Sequence, residues 1–125
     1  MRALMVPVGE PPRVIESNSD LRALQKTVGG HIELLAVDSH VGFLGHDTAR
    51  IDNQPFNRYV VLSDRSVWDI FGPLLLVGVD DAEGIFESLS ADDIALWQPR
   101  LEYALSIPLT PRFRAFNQPF NRLPE

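Results

Sequence analysis

The longest apolar run in the chain is Leu74–Val77. It is too short for a helix of ordinary length and is followed by turn residues at 80–84, so the pattern predicts a strand, a turn and a second strand at Ile85–Phe86. Alternate side chains of a strand point to opposite faces of its sheet, and all four residues of the run are apolar. We therefore expect this strand to lie at the centre of a sheet that is covered on both faces.

Shorter apolar and alternating segments predict the rest of the fold. Strands are expected at residues 2–8, 13–16, 31–37 and 41–44. One main helix is expected to start after Ser19 and to end at Gly29, because serine caps helices and glycine ends them. A second main helix is expected to start after Ser90, with two acidic residues in its first turn, and to end by Leu105.

The middle of the chain gives weaker signals. Pro55 fits the first turn of a short helix, where its missing N–H costs nothing, and Phe56, Tyr59 and Val60 would then face inward. Residues 64–69 are expected to form a polar turn.

Residues 106–125 differ from the rest in composition. They contain four Pro, three Phe and three Arg, which disfavours regular structure and favours an extended tail. The phenylalanines still need a surface, supplied by the domain itself, a second copy of the chain or a partner protein. The whole pattern predicts one α+β domain at residues 1–105, with a mostly antiparallel sheet of about five strands and two main helices, followed by this tail.

Composition and charge narrow the function classes. The chain has 125 residues, 45% of them hydrophobic, and no cysteine, which fits one domain without disulfides, thiol catalysis or cysteine-ligated zinc. No apolar stretch is long enough for a signal peptide or a membrane span, so a cytoplasmic protein is expected. Residues 1–99 carry 15 acidic and 7 basic residues, a charge of −8. Residues 66–99 carry seven acidic residues and no Lys or Arg, which disfavours direct binding to a nucleic-acid backbone through that region and favours a basic protein surface or, more simply, a solvated acidic face.

Residues with catalytic or metal-binding chemistry form no known motif. The spacing of His40 and His46 matches no metal site, and nucleophile-elbow, P-loop, dinucleotide and zincin patterns are missing. We expect no metal and no cofactor, and the leading interpretation is a non-enzymatic protein-binding module. The alternative is a small-molecule or nucleotide-binding domain, or an enzyme, with a cleft near Asn57, Arg58 and the histidines. A third interpretation, mimicry of DNA by the acidic face, has less support because arginines interrupt the acids.

Several segments together resemble a known family. They are MRALMVPVGEPP, LRALQKTVGG, HIELL, QPFNR and DIFGPLLLVGVDDAEGIFESLS, in this order over residues 1–96. The set, with its patterns VGGxIE, P-x-N and D-I-x-G, is similar to a small domain-of-unknown-function family, numbered in the three thousands, found in bacteria, their phages and mobile elements. Members often carry N-E-E-G before the P-x-N element, where this chain has GHDTAR. The resemblance implies no activity, but it implies a cytoplasmic accessory protein of phage or plasmid origin.

The hexapeptide NQPFNR occurs twice, at residues 53–58 and 117–122. A chance match of this length is expected on the order of once in several thousand chains of this size. We hypothesise that each copy presents Phe as an anchor and Arg as a carboxylate clamp to a host protein or a second copy of the chain, giving a homo-oligomer through the tail. In the plainer alternative, the first copy caps a structural helix and the second lies on the surface. The candidate binding residues, including the acidic turn, are Pro55, Phe56, Asn57, Arg58, Pro119, Phe120, Asn121, Arg122, Asp80, Asp81 and Glu83.

Overall fold

The computed structural model describes residues 1–16, 32–38, 40–46, 54–61, 66–80, 85–102, 113–115 and 121–122. These residues contain ten strands and one helix. The elements are β1 Arg2–Val6, β2 Arg13–Glu16, β3 Glu33–Asp38, β4 Val41–Gly45, β5 Phe56–Val61, β6 Ser66–Phe71, β7 Leu74–Asp80, β8 Ile85–Glu87, α1 Ala91–Leu101, β9 Phe113–Ala115 and β10 Asn121–Arg122.

The larger of two sheets has seven strands, with β7 at its centre. Its order is β2-β1-β7-β4-β3-β9, with β8 pairing the far end of β7, and each of these pairs is antiparallel. The four side chains of Leu74–Val77 are completely buried. The predicted central strand is therefore confirmed, and so is its hairpin with β8.

The two faces of β7 contribute to two separate hydrophobic clusters. Leu75 and Val77 lie in one cluster with residues of β1 and β4. Leu74 and Leu76 lie in the other, which also contains residues of β6 and α1. The centre of this second cluster is aromatic, because the ring of Phe43 makes edge-to-face contacts with Trp68 at 5.8 Å and with Trp97 at 5.1 Å.

The smaller sheet and the helix cover this aromatic side of the large sheet. The small sheet has the order β10-β6-β5 and is antiparallel. Trp68 and Ile70 of β6 are buried in the shared cluster. In α1, Trp97 and Leu101 are the buried residues. One face of the large sheet is thus packed against two further elements.

Helix α1 begins as its sequence predicts. The Ser90 hydroxyl accepts a hydrogen bond from the Asp93 backbone N–H at 3.1 Å, and the same hydroxyl donates to the Asp93 carboxylate at 2.9 Å. The helix continues through Pro99 to Leu101, so the proline lies in its last turn. Among the described residues, no helix is long and apolar enough to cross a membrane.

Several predicted elements are wrong. The short helix at Pro55 is the strand β5, and the polar turn at residues 64–69 is largely the strand β6. Phe56 and Tyr59 are exposed rather than inward-facing. Proline is compatible both with a helix start and with the residue before a strand, and pairing with a neighbouring strand decides between them.

The strand count and the extended tail also need correction. The described residues form ten strands rather than about five, and parts of residues 106–125 are the paired strands β9 and β10. One of the two main helices is confirmed as α1. The other, at residues 19–29, lies outside the described residues. The domain boundary at residue 105 stays a prediction.

Candidate protein-binding face

A β-bulge in β5 decides which of its side chains face outward. Phe56 pairs with Phe71 and Arg58 pairs with Ile70, so Asn57 is an extra residue on the β5 side of the ladder. A bulge of this kind interrupts the strict alternation of a strand. Consequently two successive residues are buried, with Asn57 at 4% and Arg58 at 2% exposure, while Phe56 on one side and Tyr59 on the other are exposed.

The outward side chains form a group of aromatic rings, which we call the aromatic face: Phe56, Tyr59 and Phe71. The rings of Phe56 and Phe71 meet edge-on with centroids 5.5 Å apart, and the rings of Phe56 and Tyr59 are tilted with centroids 6.4 Å apart. Phe56 is 45% and Tyr59 36% exposed, and Phe71 is half-buried. Exposed aromatic side chains that cluster are typical of binding sites, whereas single exposed apolar residues occur on any protein surface.

The amide of Asn57 lies on the opposite, inner side of the small sheet. Its Nδ2 donates to the carbonyl oxygens of Val6 at 3.0 Å and Gly72 at 2.8 Å, and its Oδ1 accepts from Nε of Arg58 at 2.8 Å. Gly72 has a φ of 73°, which favours glycine, and its N–H donates to the carbonyl of Pro55 at 2.8 Å. The amide therefore joins the turn between β6 and β7 to the end of β1.

The guanidinium of Arg58 joins three parts of the chain. Its Nη2 donates to the carbonyl oxygens of Pro7 at 3.1 Å and Glu10 at 2.9 Å, and its Nη1 donates to the carbonyl of Leu101. Leu101 is the last residue of α1, where a positive charge complements the helix dipole. Burial lowers the pKa of Arg58. The acceptors around this guanidinium are neutral oxygens, and the arginine holds the β1–β2 connection against the end of the helix.

The first copy of NQPFNR is thus divided between interior and surface. Asn57 and Arg58 are structural, whereas Pro55 and Phe56 are exposed. In the second copy, Asn121 and Arg122 pair with Val67 and Ser66 of β6. Pro119 and Phe120 lie outside the described residues, as do Asp81 and Glu83 of the acidic turn. Asp80 ends β7 and is half-buried. The binding roles of these residues stay predictions.

The predicted histidine cleft is not assembled. His40 precedes β4 and His46 follows it, so the two residues are separated by the length of the strand, about 20 Å at 3.4 Å per residue. Among the described residues, no three metal-ligating side chains form a group. A groove of about 260 Å³ lies elsewhere, between the β1–β2 connection and α1, and is lined by Pro11, Pro12, Ala95, Gln98, Pro99 and Glu102. It is smaller than the roughly 300–1,000 Å³ of typical small-molecule pockets.

Sequence reasoning placed Phe56 and Tyr59 on one face but turned that face inward, and it missed Phe71 as their neighbour. The signal was present in β6, where Asp69 and Phe71 alternate with Trp68 and Ile70. This pattern is typical of a strand with one buried face. The interruption of the alternation in β5 could not be anticipated, because a bulge depends on the register with its partner strand.

The fold and the face together define a mostly antiparallel sheet protein with one described helix, which fits the α+β class, and with a group of aromatic rings on the outer face of its small sheet. Residues 1–102 match the model of the family described as Domain of unknown function (DUF3846), and the chain belongs to this family. This confirms the resemblance, although it does not test the individual motifs. No curated protein and no solved structure matches the chain.

Proposed function

We propose that this chain is a non-enzymatic protein-binding module and that its aromatic face contacts the partner. The observation that supports this most directly is the contact of three aromatic rings on the outer face of the small sheet, two of them more than one-third exposed. By contrast, Phe43, Trp68 and Trp97 are each only 1% exposed. The core buries these three rings almost completely, whereas Phe56 and Tyr59 of the aromatic face stay in contact with water.

The energetics favour a partner at this surface. Covering the exposed half of a phenylalanine side chain removes on the order of 100 Å² of apolar surface from water, which is worth about 2 kcal/mol. The rings of Phe56 and Tyr59 already contact each other, so part of their conformational freedom is lost before binding. Two such anchors side by side have the character of an interface hot spot.

Charge suggests the chemistry of the partner. The chain has a net charge of −6, and Asp69 lies opposite Tyr59 in the ladder of the small sheet. A partner with an apolar patch surrounded by basic residues would complement this surface. A host protein in a bacterial cytoplasm, met by an accessory protein of phage or mobile-element origin, fits this proposal.

The same structure gives less support to an enzyme or a nucleotide-binding domain. Asn57 and Arg58 donate to internal oxygens, and the two histidines lie at opposite ends of β4. The four residues of the alternative cleft, Asn57, Arg58, His40 and His46, therefore do not line one common cleft. The groove at α1 contains none of them.

The test is affinity purification from the native host, followed by mass spectrometry, with two matched variants. Phe56→Thr/Tyr59→Thr removes the two exposed rings and keeps strand-forming residues. The control, Val14→Thr/Leu96→Gln, removes apolar side chains that are 46% and 44% exposed at other places. Binding through the aromatic face predicts that one or more proteins are lost with the first variant and retained with the control. If both folded variants recover the same proteins as the unmodified chain, the aromatic face is not the binding surface.

A further inference from the structure

The two C-terminal strands, β9 and β10, each cover the edge of a different sheet. Strand β9 pairs with β3 of the large sheet through Phe113–Ala115, and β10 pairs with β6 of the small sheet through Asn121–Arg122. Without them, β3 and β6 would be terminal strands in the described sheets. Terminal strands present backbone N–H and C=O groups that accept another strand. The edges of β3 and β6 are therefore strand-acceptor sites.

The contacts that occupy these sites are short. Strand β9 has three residues in register with β3, and β10 has two in register with β6, whereas β5 and β6 share five paired positions. Elements with so few contacts open locally at a lower free energy than the whole domain. The acceptor edges can thus become available while the rest of the fold stays intact.

The part of the chain that contains β3 and β6 differs in net charge and in family membership from the part that contains β9 and β10. Residues 1–102, which contain β3 and β6 and match the family, carry 16 acidic and 8 basic residues, a charge of −8. Residues 103–125 carry 3 basic residues and 1 acidic residue, a charge of +2. The electrostatic attraction between residues 1–102 and residues 103–125 acts between two copies of the chain as well as within one copy.

The hexapeptide repeat adds a reason to expect a second copy as the donor. Residues of the first NQPFNR copy pair with one edge of β6 at Ile70 and Phe71. Residues of the second copy pair with its other edge at Ser66 and Val67, and both copies run antiparallel to β6. The strand β6 therefore pairs with residues of one copy on each edge, although the paired positions differ, and every copy of the chain carries both hexapeptides.

We propose that two copies of this chain exchange their C-terminal strands, with β9 of one copy pairing with β3 of the other and β10 pairing with β6. Exchange keeps the same contacts and changes only the connection, which is the general basis of domain swapping. The eleven residues 102–112 link α1 to β9, and fully extended they span at most about 40 Å. The linked strand competes at an effective concentration in the millimolar range, so the exchanged dimer is expected to become abundant only near that concentration.

The absence of cysteine from the chain allows a direct test. Val37 of β3 lies opposite Arg114 of β9, and Cβ atoms at opposed positions lie about 4.5–5.5 Å apart, so a small approach of the two strands reaches the roughly 3.5–4.5 Å of a disulfide. Full-length Val37→Cys and full-length Arg114→Cys chains with different tags are mixed and oxidised with glutathione disulfide. A disulfide between the two kinds of chain requires β9 of one copy beside β3 of the other. The matched control pairs Val37→Cys with Arg13→Cys, because Arg13 lies in β2 at the opposite edge of the sheet.

The expected result is a mixed disulfide with Arg114→Cys and only a background level with Arg13→Cys. The dimer fraction should rise roughly tenfold for a tenfold increase in protein concentration below the effective concentration of the linker. The proposal is overturned if the mixed disulfide stays at background up to about 1 mM while a chain with both Val37→Cys and Arg114→Cys closes its internal disulfide, because β9 then serves only its own chain. It is equally overturned if neither disulfide forms, or if Val37→Cys captures another protein from the host but no second copy.

Discussion

Removal of the guanidinium of Arg58 is expected to destabilise the protein strongly, although its four acceptors among the described residues are neutral oxygens. The substitution Arg58→Met keeps an unbranched apolar stem of similar length and deletes the donors to Leu101, Pro7, Glu10 and the Asn57 side chain. The substitution therefore changes the packing little but removes all of these hydrogen bonds. This makes the variant a specific test of the buried polar network.

The magnitude follows from the oxygens left behind. The carbonyl of Glu10 belongs to an exposed residue and can bind water, whereas Leu101, Pro7 and Asn57 are buried. Three buried acceptors without a donor cost about 1–2 kcal/mol each. Part of this loss of stability is offset because methionine carries no charge. Burying the charge of Arg58 is costly, as its lowered pKa indicates. We expect a net loss of about 3 kcal/mol in the free energy of unfolding.

The measurement is urea denaturation followed by the fluorescence of Trp68 and Trp97, both buried in the core. With an m value of about 1.5–2 kcal/mol per M, the midpoint should fall by roughly 1.5–2 M without a change in m. Arg13→Met is the matched control, since Arg13 is exposed in β2, and its effect should stay within about 0.5 kcal/mol. Hydrogen exchange should also increase at residues 7–10 and at the end of α1, where the contacts are lost.

A loss of less than about 1 kcal/mol for Arg58→Met would refute this reasoning. It would mean that water replaces the guanidinium at the three buried oxygens, or that the β1–β2 connection separates from α1 at little cost. For Arg58→Lys we expect a loss of stability between zero and that of Arg58→Met, because the ammonium group keeps the charge but cannot reach acceptors on several sides.

Three further predictions concern the core and the helix, all measured by urea denaturation. Leu75→Ala and Leu76→Ala remove completely buried side chains on opposite faces of β7 and should each cost about 2–5 kcal/mol; losses below about 0.5 kcal/mol at both would contradict the packing. A double-mutant cycle of Phe43→Leu and Trp97→Leu should give a coupling energy of about 0.5–1.5 kcal/mol for the edge-to-face pair, and strict additivity would argue against this contact. Ser90→Ala removes the N-cap acceptor of α1 and should cost about 1 kcal/mol, with Ser90→Thr, which keeps the hydroxyl, restoring most of it.

The sequence alone determined the elements whose signals are local. Four successive apolar residues at 74–77 predict a strand covered on both faces, because a side chain on either face would otherwise meet water. Ser90 and the acidic first turn predict the start of α1, because these groups interact with the N–H groups of the same helix. Such predictions need no knowledge of what lies next to the element.

Tertiary structure decided the segment that carries the candidate face. The local signals of residues 55–61 fit a helix start or a strand, and only pairing with β6 settles the choice. The same pairing creates the bulge that turns Arg58 inward and leaves Phe56 and Tyr59 outside. The strands β9 and β10 likewise depend on acceptor edges formed by residues far away in the sequence. Register and edge pairing are properties of two segments at once, so a pattern read along one segment cannot fix them.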